Sequence, residues 1–158
     1  MEIFKRYLLM KASLRMMIEW PILIGVGVIG IIFQFSTFPF YPINNIFGFI
    51  LLIAGFIIHR ASHQIHKQAH LKSEEVERLV NGGIYSKMRH PGYLGIILMY
   101  FGFAFAWGIV WLLLPVAIFI MMTVLTALRE EEMMRKKFGK KYDEYVKRVP
   151  WRFLPRVF

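Results

Sequence analysis

The chain of 158 residues contains no cysteine, which excludes disulfide bonds and thiolate metal ligands. It also has few acidic residues, with 10 Asp and Glu against 20 Lys and Arg, giving a formal net charge of +10. Hydrophobic residues make up 57% of the chain, above the ~45–50% of an ordinary soluble domain. The composition therefore predicts a single integral membrane domain over residues 1–158, in contact with the bilayer and not with nucleic acid.

Charged residues are absent from two short segments, 37–42 and 107–109. Each segment separates two apolar runs long enough to cross a bilayer. Every Lys and Arg lies before the first run, between the second and third, or after the fourth. By the positive-inside rule, we expect both termini and the central charged segment to lie in the cytoplasm. The predicted transmembrane spans are about 20–38, 43–58, 91–106 and 110–128.

The polar segments between and after the spans are also expected to be helical. Residues 59–79 predict a cytoplasmic connecting helix, which glycines 82 and 83 would end. Residues 130–145 predict a C-terminal helix with Gly139 as its weak point. The link between the third and fourth spans is so short that they must form an antiparallel hairpin. The predicted fold is thus an all-α integral membrane protein with four transmembrane helices.

Residues 1–19, before the first span, interleave basic and apolar side chains. This pattern is typical of an amphipathic segment that lies on the membrane surface. No small-residue cleavage site follows the next apolar run, so the segment is not expected to be a signal peptide. Trp20 and Pro21 would mark the entry into the membrane.

The segment 82–95 joins a polar region to an apolar helix and carries an Arg89-His90-Pro91 triplet. Proline suits the first position of a helix, where its missing N–H is not needed. A cation, an imidazole and backbone amides at a helix N-terminus form a suitable pocket for a carboxylate or a phosphate. The alternative is that Arg89 is only an interfacial anchor and the glycines around it form a plain turn.

Three consecutive glutamates, Glu130 to Glu132, follow the fourth span. Successive helical residues point about 100° apart, so they cannot all face one way, but at least one can point toward Arg89 and His90. Such a carboxylate could bind a ribose or an ammonium group. The alternative is a solvated cluster that pairs with Arg135 and Lys136.

Four histidines, His59, His63, His66 and His70, recur on one face of the predicted connecting helix. Adjacent pairs have the spacing of a helical zinc site. The stripe contains no acidic residue, and histidines on an amphipathic surface are common, so we predict no metal site.

Two separated motifs together carry a family resemblance. The first is Gly83-Ile84-Tyr85 followed by Arg89-His90-Pro91-x-Tyr93-x-Gly95. The second runs from Glu130-Glu131 through Phe138-Gly139, Tyr142, Tyr145 and Val149-Pro150 to Pro155. Together they resemble the signature of the isoprenylcysteine carboxyl methyltransferase family, which groups with the phospholipid N-methyltransferases. Relatives often carry an arginine two or more positions before the glutamate pair, where this chain has Thr126 and Leu128, and Arg129 would be its substitute.

The resemblance implies methyl transfer from S-adenosylmethionine to a lipophilic acceptor, such as an isoprenylcysteine carboxylate, at the cytoplasmic membrane face. S-adenosylhomocysteine would be the product, and segments 79–95 and 129–155 would form the cofactor pocket. Arg89, His90 and Glu131 would be the catalytic residues: Arg89 would hold the methionine carboxylate, and His90 would fix the pocket geometry. The residues that the resemblance assigns to the cofactor are Gly83, Tyr85, Arg89, His90, Pro91, Tyr93, Gly95, Glu130, Glu131, Tyr142 and Tyr145.

Three other functions fit parts of the pattern. A phospholipid N-methyltransferase that acts on phosphatidylethanolamine would share the same motifs. A membrane reductase of the sterol or steroid type would have a similar helical layout and would use NADPH. A non-catalytic four-helix scaffold would tolerate changes at Arg89 and Glu131. Neither of the last two functions explains both motif halves.

Overall fold

The computed structural model describes Tyr7, Met10, residues 12–65 and residues 79–157. Within these residues the regular structure is helical, apart from one isolated antiparallel bridge between Thr37 and Ile109. This confirms the predicted all-α class for the described parts. The α-helices are α1 (Ala12–Ile32), α2 (Ile43–Ile65), α3 (Pro91–Trp107), α4 (Leu113–Phe138) and α5 (Lys140–Arg148), with 3-10 turns at Gly83–Ser86 and Val110–Leu112.

Among the described residues, three helical segments are long and apolar enough to cross a membrane: Leu14–Ile32, Ile43–Ile65 and Val110–Phe138. The helix α3 has 17 residues, at the lower limit of the ~17–25 that a transmembrane helix needs. Large apolar side chains such as Phe49 on α2 are more than half exposed in the isolated chain, as lipid contact requires. The arrangement of four spans stays a prediction.

The helix α1 differs from the predicted first span. It begins by Ala12, contains Pro21 in its interior, and ends at Ile32, so residues 33–38 are not part of it. A proline inside a transmembrane helix is tolerated because the surrounding structure satisfies the freed backbone groups. The prediction of a surface-lying segment is wrong for the part of residues 1–19 that the structure describes as helix. Arg15 and Glu19 are buried there, because they pair with each other and with hydroxyl groups of other helices.

The helices α2 and α3 pack backbone against backbone at glycines. A Cβ atom on Gly48 would lie 2.1 Å from the backbone nitrogen of Ala106, and one on Gly55 would lie 2.6 Å from the carbonyl oxygen of Gly95. Gly102 on α3 makes the reciprocal approach to α2. The structure thus confirms that Gly48 and Gly55 permit close helix packing. This contact holds the end of α2 against the start of α3, where the candidate site lies.

The two uncharged turns meet at the other end of α3. The Phe38 N–H donates to the Gly108 carbonyl at 2.9 Å, and the Val110 N–H donates to the Ser36 carbonyl at 3.0 Å. Gly108 has a φ of 82°, which suits glycine and ends α3. The uncharged turns therefore share one end of the bundle, about 25 Å along α3 from the Arg89-His90 segment.

The charged region after the fourth apolar run is divided differently from the prediction. The glutamate cluster belongs to α4, which continues to Phe138, and α5 is a separate short helix. Gly139, with φ 53° and ψ −126°, separates the two helices, so the predicted weak point is a break. Residues 59–65 of the predicted connecting helix are confirmed as the end of α2, and residues 66–78 lie outside the described residues.

Candidate active site

Glu131 is the centre of the candidate site and is only 7% exposed. Its Oε1 accepts hydrogen bonds from the Arg89 Nε at 2.9 Å and pairs with the His90 Nε2 at 3.1 Å. Its Oε2 accepts a hydrogen bond from the Arg152 Nε at 3.2 Å. The structure thus confirms that the Arg89-His90 segment and the glutamate cluster meet, although about 40 residues separate them in the sequence.

Helix geometry explains why these segments meet. Pro91 occupies the start of α3, as its fixed φ and missing N–H predict, and His90 is the N-cap residue. The helix α4 runs back toward that end after the tight turn at Gly108. Its glutamates follow the last apolar turn and therefore reach the level of the residues that precede α3.

The C-terminal segment closes over this junction. The Arg89 N–H donates to the Trp151 carbonyl at 2.9 Å, and the His90 N–H donates to the Arg152 carbonyl at 2.8 Å. The Arg89 Nη1 donates to the carbonyls of Val149 and Pro150 at 2.9 and 2.8 Å. Arg89 therefore positions both Glu131 and the segment after α5. Its predicted contact with a cofactor carboxylate stays a prediction.

The neighbouring glutamates have different environments. Glu130 accepts a hydrogen bond from the Tyr93 hydroxyl at 2.7 Å, and its side chain is 29% exposed. The His90 Nδ1 lies 3.9 Å from its Oε2. Glu132 instead pairs with Arg129 at 2.8 Å, with both side chains about half exposed. Glu130 and Glu131 are thus the pair that faces the site, while Glu132 and Arg129 face away from it.

Three tyrosines lie close to the site. Tyr142 and Tyr145 are each 3% exposed and pack with Val149, and the Tyr145 hydroxyl donates to the Tyr85 carbonyl at 2.8 Å. Burial raises the pKa of Tyr142 and of Tyr145 well above the usual value. Burial also raises the pKa of Tyr85 to about 12, against the effect of a hydrogen bond with Ser62. All three phenols are therefore neutral hydrogen-bond donors at physiological pH.

The motif glycines have structural reasons for their positions. Gly83 has a φ of 57°, which side-chain-bearing residues rarely adopt. A Cβ atom on Gly95 would lie 2.6 Å from the Gly55 carbonyl oxygen and 2.7 Å from the His59 backbone nitrogen. These contacts account for both glycines through local backbone geometry and helix packing. Their contribution to a cofactor pocket stays a prediction.

The histidine stripe is described only in part. The His59 Nδ1 lies 3.1 Å from the Gly92 carbonyl oxygen, and the His59 and His63 ring centroids are 4.4 Å apart. His66 and His70 lie outside the described residues. Across the ranges 12–65 and 79–157, no group of three His, Asp or Glu side chains is arranged so that it could hold a metal ion.

Two site residues did not emerge from the sequence patterns. Arg152 was not singled out, although its position after Pro150, in a segment that cannot continue the helix, could have indicated a return to the site. Ser62 is buried at the end of α2, and its Oγ lies 2.9 Å from where a Cβ on Gly92 would be. A serine in a polar stretch gives no such signal by itself.

A protein-family model described as phospholipid methyltransferase matches residues 43–141 of the chain. The chain belongs to this family. Membership confirms the predicted resemblance, since the match includes both the Arg89-His90 segment and the Glu130-Glu131 pair. The helix α1 and the segment after residue 141 lie outside the match.

Curated relatives carry two kinds of name. The chain is 29% identical over 115 residues to protein-S-isoprenylcysteine O-methyltransferase B of Arabidopsis thaliana, covering 66% of this chain and 56% of that protein. It is 34% identical over 83 residues to Delta(14)-sterol reductase of Mus musculus, covering 51% and 20%. It is 26% identical over 129 residues to a probable 7-dehydrocholesterol reductase of Acanthamoeba polyphaga mimivirus, covering 70% and 29%. The chain therefore spans between 20% and 56% of the length of these relatives.

Proposed function

We propose that the chain transfers a methyl group from S-adenosylmethionine to a lipophilic acceptor at the cytoplasmic face of a membrane. The observation that carries the proposal is the convergence of Arg89, His90 and Arg152 on one buried carboxylate, that of Glu131. This convergence lies at one end of apolar helices, where a lipid-soluble acceptor and a water-soluble cofactor can meet. The confinement of Lys and Arg to this end of the chain's helices supports the cytoplasmic side.

The charge of the site fits this cofactor. Arg89 and Arg152 formally balance Glu130 and Glu131, so the site has no excess of positive charge. S-adenosylmethionine has a sulfonium, an ammonium and a carboxylate group, and is net positive. Glu130 could accept from its ribose hydroxyls or its ammonium, and Arg152, whose side chain is 32% exposed, could donate to its carboxylate. When bound, the cofactor supplies an electrophilic methyl group.

The chain's own residues would mainly position the reactants and exclude water. Arg89 fixes Glu131 and the segment after α5, and His90 links Glu131 to Glu130. A carboxylate acceptor is ionised at neutral pH and needs no catalytic base, whereas an amine acceptor must first lose a proton. Among acceptors, we favour an isoprenylcysteine carboxylate or a similar group, with the phosphatidylethanolamine amine as the alternative.

A second candidate is a membrane reductase of the sterol type that uses NADPH. The two sterol-reductase relatives favour it. Against it, NADPH carries several phosphate groups and would need more cations than carboxylates. The site offers two arginines for its two glutamates, Glu130 and Glu131, and so has no excess of cations for those phosphate groups.

Calorimetry on the detergent-solubilised chain separates the two candidates. We expect S-adenosylhomocysteine to bind and NADPH not to bind. Glu130→Gln should weaken S-adenosylhomocysteine binding about tenfold or more, the usual effect of losing a charged hydrogen-bond partner. Glu132→Gln is the matched control, because Glu132 pairs with Arg129 away from the site.

Incubation with labelled S-adenosylmethionine and native lipid extract should then yield a labelled lipid that identifies the acceptor. NADPH binding without S-adenosylhomocysteine binding would contradict the methyltransferase proposal. Equal affinities of the Glu130→Gln and Glu132→Gln variants would contradict the placement of the site.

A further inference from the structure

A second buried polar cluster lies between α1, α3 and α4. Arg15 and Glu19 are 3% and 1% exposed and pair at 3.2 Å. The Arg15 Nη1 donates to the Thr126 Oγ1 at 2.6 Å, and its Nη2 donates to the Thr123 Oγ1 at 3.1 Å. The Tyr100 hydroxyl donates to the Glu19 Oε2. None of these five residues belongs to the candidate active site, and no sequence motif predicts the cluster.

Tyr7 also contacts the cluster. Its hydroxyl donates to the Glu19 Oε1, and its ring lies 5.2 Å from the Arg15 guanidinium carbon. Both carboxylate oxygens of Glu19 are therefore occupied by donors. The two threonine hydroxyls also donate to helix carbonyls one turn earlier, as is common in transmembrane helices.

Stability alone does not explain such a cluster. A buried ion pair can usually be replaced by well-packed apolar residues without loss of stability, because desolvation offsets the attraction. Ionisable side chains inside transmembrane segments are rare and are most often functional. The pair lies on α1, which is outside the family match. The ion pair is thus joined to the matched part of the chain by Tyr100, Thr123 and Thr126 but is not itself part of the match.

One donor of the cluster has no hydrogen-bond partner among the residues that the structure describes. The Arg15 Nε is buried and makes no hydrogen bond within the described part of the chain. A buried unpaired donor is destabilising and is found in few places in folded proteins. The chemistry that would satisfy it is an acceptor oxygen: a phosphate, ester, amide or hydroxyl oxygen. Because Glu19 already balances the charge of Arg15, this oxygen need not be part of an anion.

The cluster is adjacent to the candidate active site. Thr123, Thr126 and Glu130 stand at i, i+3 and i+7 on α4, which places them on one face of the helix. From Thr126 to Glu130 the helix rises about 6 Å. Tyr93, which donates to Glu130, is also close enough to Arg15 for the two to interact electrostatically. A lipophilic acceptor whose reacting group meets the cofactor beside Glu130 would therefore have its next polar group near Arg15.

We propose that Arg15 is a specificity-determining residue that binds an acceptor oxygen of the lipophilic substrate, about one helical turn deeper in the membrane than the reacting group. This inference rests on the proposed methyl-transfer function. The occupant is an oxygen of the substrate's polar portion, either the phosphate or ester of a phospholipid or the amide of a lipidated cysteine. Arg15 would raise the affinity for the acceptor without contacting the cofactor.

The test uses Arg15→Lys, which keeps the charge opposite Glu19 but removes the Nε donor. Thr123→Val is the matched control, because it perturbs the same cluster through a different guanidinium nitrogen. Label transfer from S-adenosylmethionine is measured against native lipid extract, phosphatidylethanolamine micelles and N-acetyl-S-farnesylcysteine. We expect Arg15→Lys to raise the acceptor KM about 10- to 100-fold, with kcat and the S-adenosylhomocysteine Kd nearly unchanged. Thr123→Val should leave all three constants near the wild-type values.

A variant that fails to fold is recognised by its thermal unfolding in detergent. In that case the double variant Arg15→Met/Glu19→Leu replaces it, since it removes both charges together, and it should raise the acceptor KM in the same way. The phospholipid and farnesylcysteine arms identify the source of the oxygen. An unchanged acceptor KM in a folded variant overturns this inference but leaves the proposed function intact. A wild-type chain that binds no S-adenosylhomocysteine, or that labels none of the three acceptors, overturns both.

Discussion

Replacing Glu131 with glutamine removes the negative charge on which Arg89, His90 and Arg152 converge. Glutamine has nearly the same shape, so packing is preserved. The main effect is that the Arg89 guanidinium, in a residue only 7% exposed, loses its counter-ion. Arg152 is more exposed and should contribute little, because solvent screens its charge.

The expected magnitude follows from the burial of the pair. Breaking a buried ion pair by removing one partner costs about 3–5 kcal/mol, since an uncompensated charge stays buried. Glutamine can still accept one hydrogen bond, so we expect the lower end of this range for Glu131→Gln, about 3 kcal/mol. For a chain of this length, a loss of about 3 kcal/mol should lower the unfolding midpoint by roughly 6–12 °C.

Two assays report the effect of Glu131→Gln. Thermal unfolding in detergent gives the midpoint, and limited trypsin digestion reports release of the C-terminal segment through cleavage after Arg152. Glu132→Gln is the control, because its exposed pair with Arg129 should contribute less than about 1 kcal/mol. If the two variants unfold at the same temperature and are cleaved at the same rate, the assignment of Glu131 as the buried centre of the site is wrong.

Two further predictions concern glycines. Gly95→Ala should lower the thermal unfolding midpoint and the yield of folded protein, because its Cβ would lie 2.6 Å from a carbonyl oxygen of α2. Gly25→Ala is the control, because a Cβ there would meet nothing within 4 Å and should leave the midpoint unchanged. Equal midpoints for the two variants would contradict the proposed packing. Gly139→Ala should cost about 1–3 kcal/mol of unfolding free energy through backbone strain at φ 53°, measured by chemical denaturation. Gly82→Ala, at φ −99° in open space, is its control and should be nearly neutral.

The arginines near the site differ in their partners and in their exposure. Arg89 is held by protein acceptors at its Nε and Nη1, which suits a residue that fixes the pocket and not one that changes partners. Arg152 is more exposed and lies on the segment after the family match, which suits the contact with a cofactor carboxylate that we propose for it. The Arg129 that stands nearest the glutamate pair in the sequence has no part in the site.

The sequence by itself determined the helical membrane class and the position of the charged segments. The length of an apolar run and the distribution of charge are local properties of the sequence. In a bilayer, these properties decide which segments are helical spans and on which side the charged segments lie. It also determined that Arg89, His90 and a glutamate of the 130–132 cluster would meet, since a short hairpin link leaves the two helix ends adjacent. Which of the three glutamates is buried depends on the rotation of α4 about its own axis. Only the packing of the helices defines that rotation, and it buries Glu131.

Only the tertiary structure decided that the charged side chains of Arg15 and Glu19 are buried. Arg15 and Glu19 lie in a stretch that is typical of a surface segment, and most of the hydroxyls that pair with them are 81 to 111 residues away. Burial of a charge depends on partners that a local pattern does not contain, because the desolvation cost is offset only by contacts formed in the folded chain. The same reason applies to Arg152, whose role follows from the return of the chain over Arg89 and not from any motif around it.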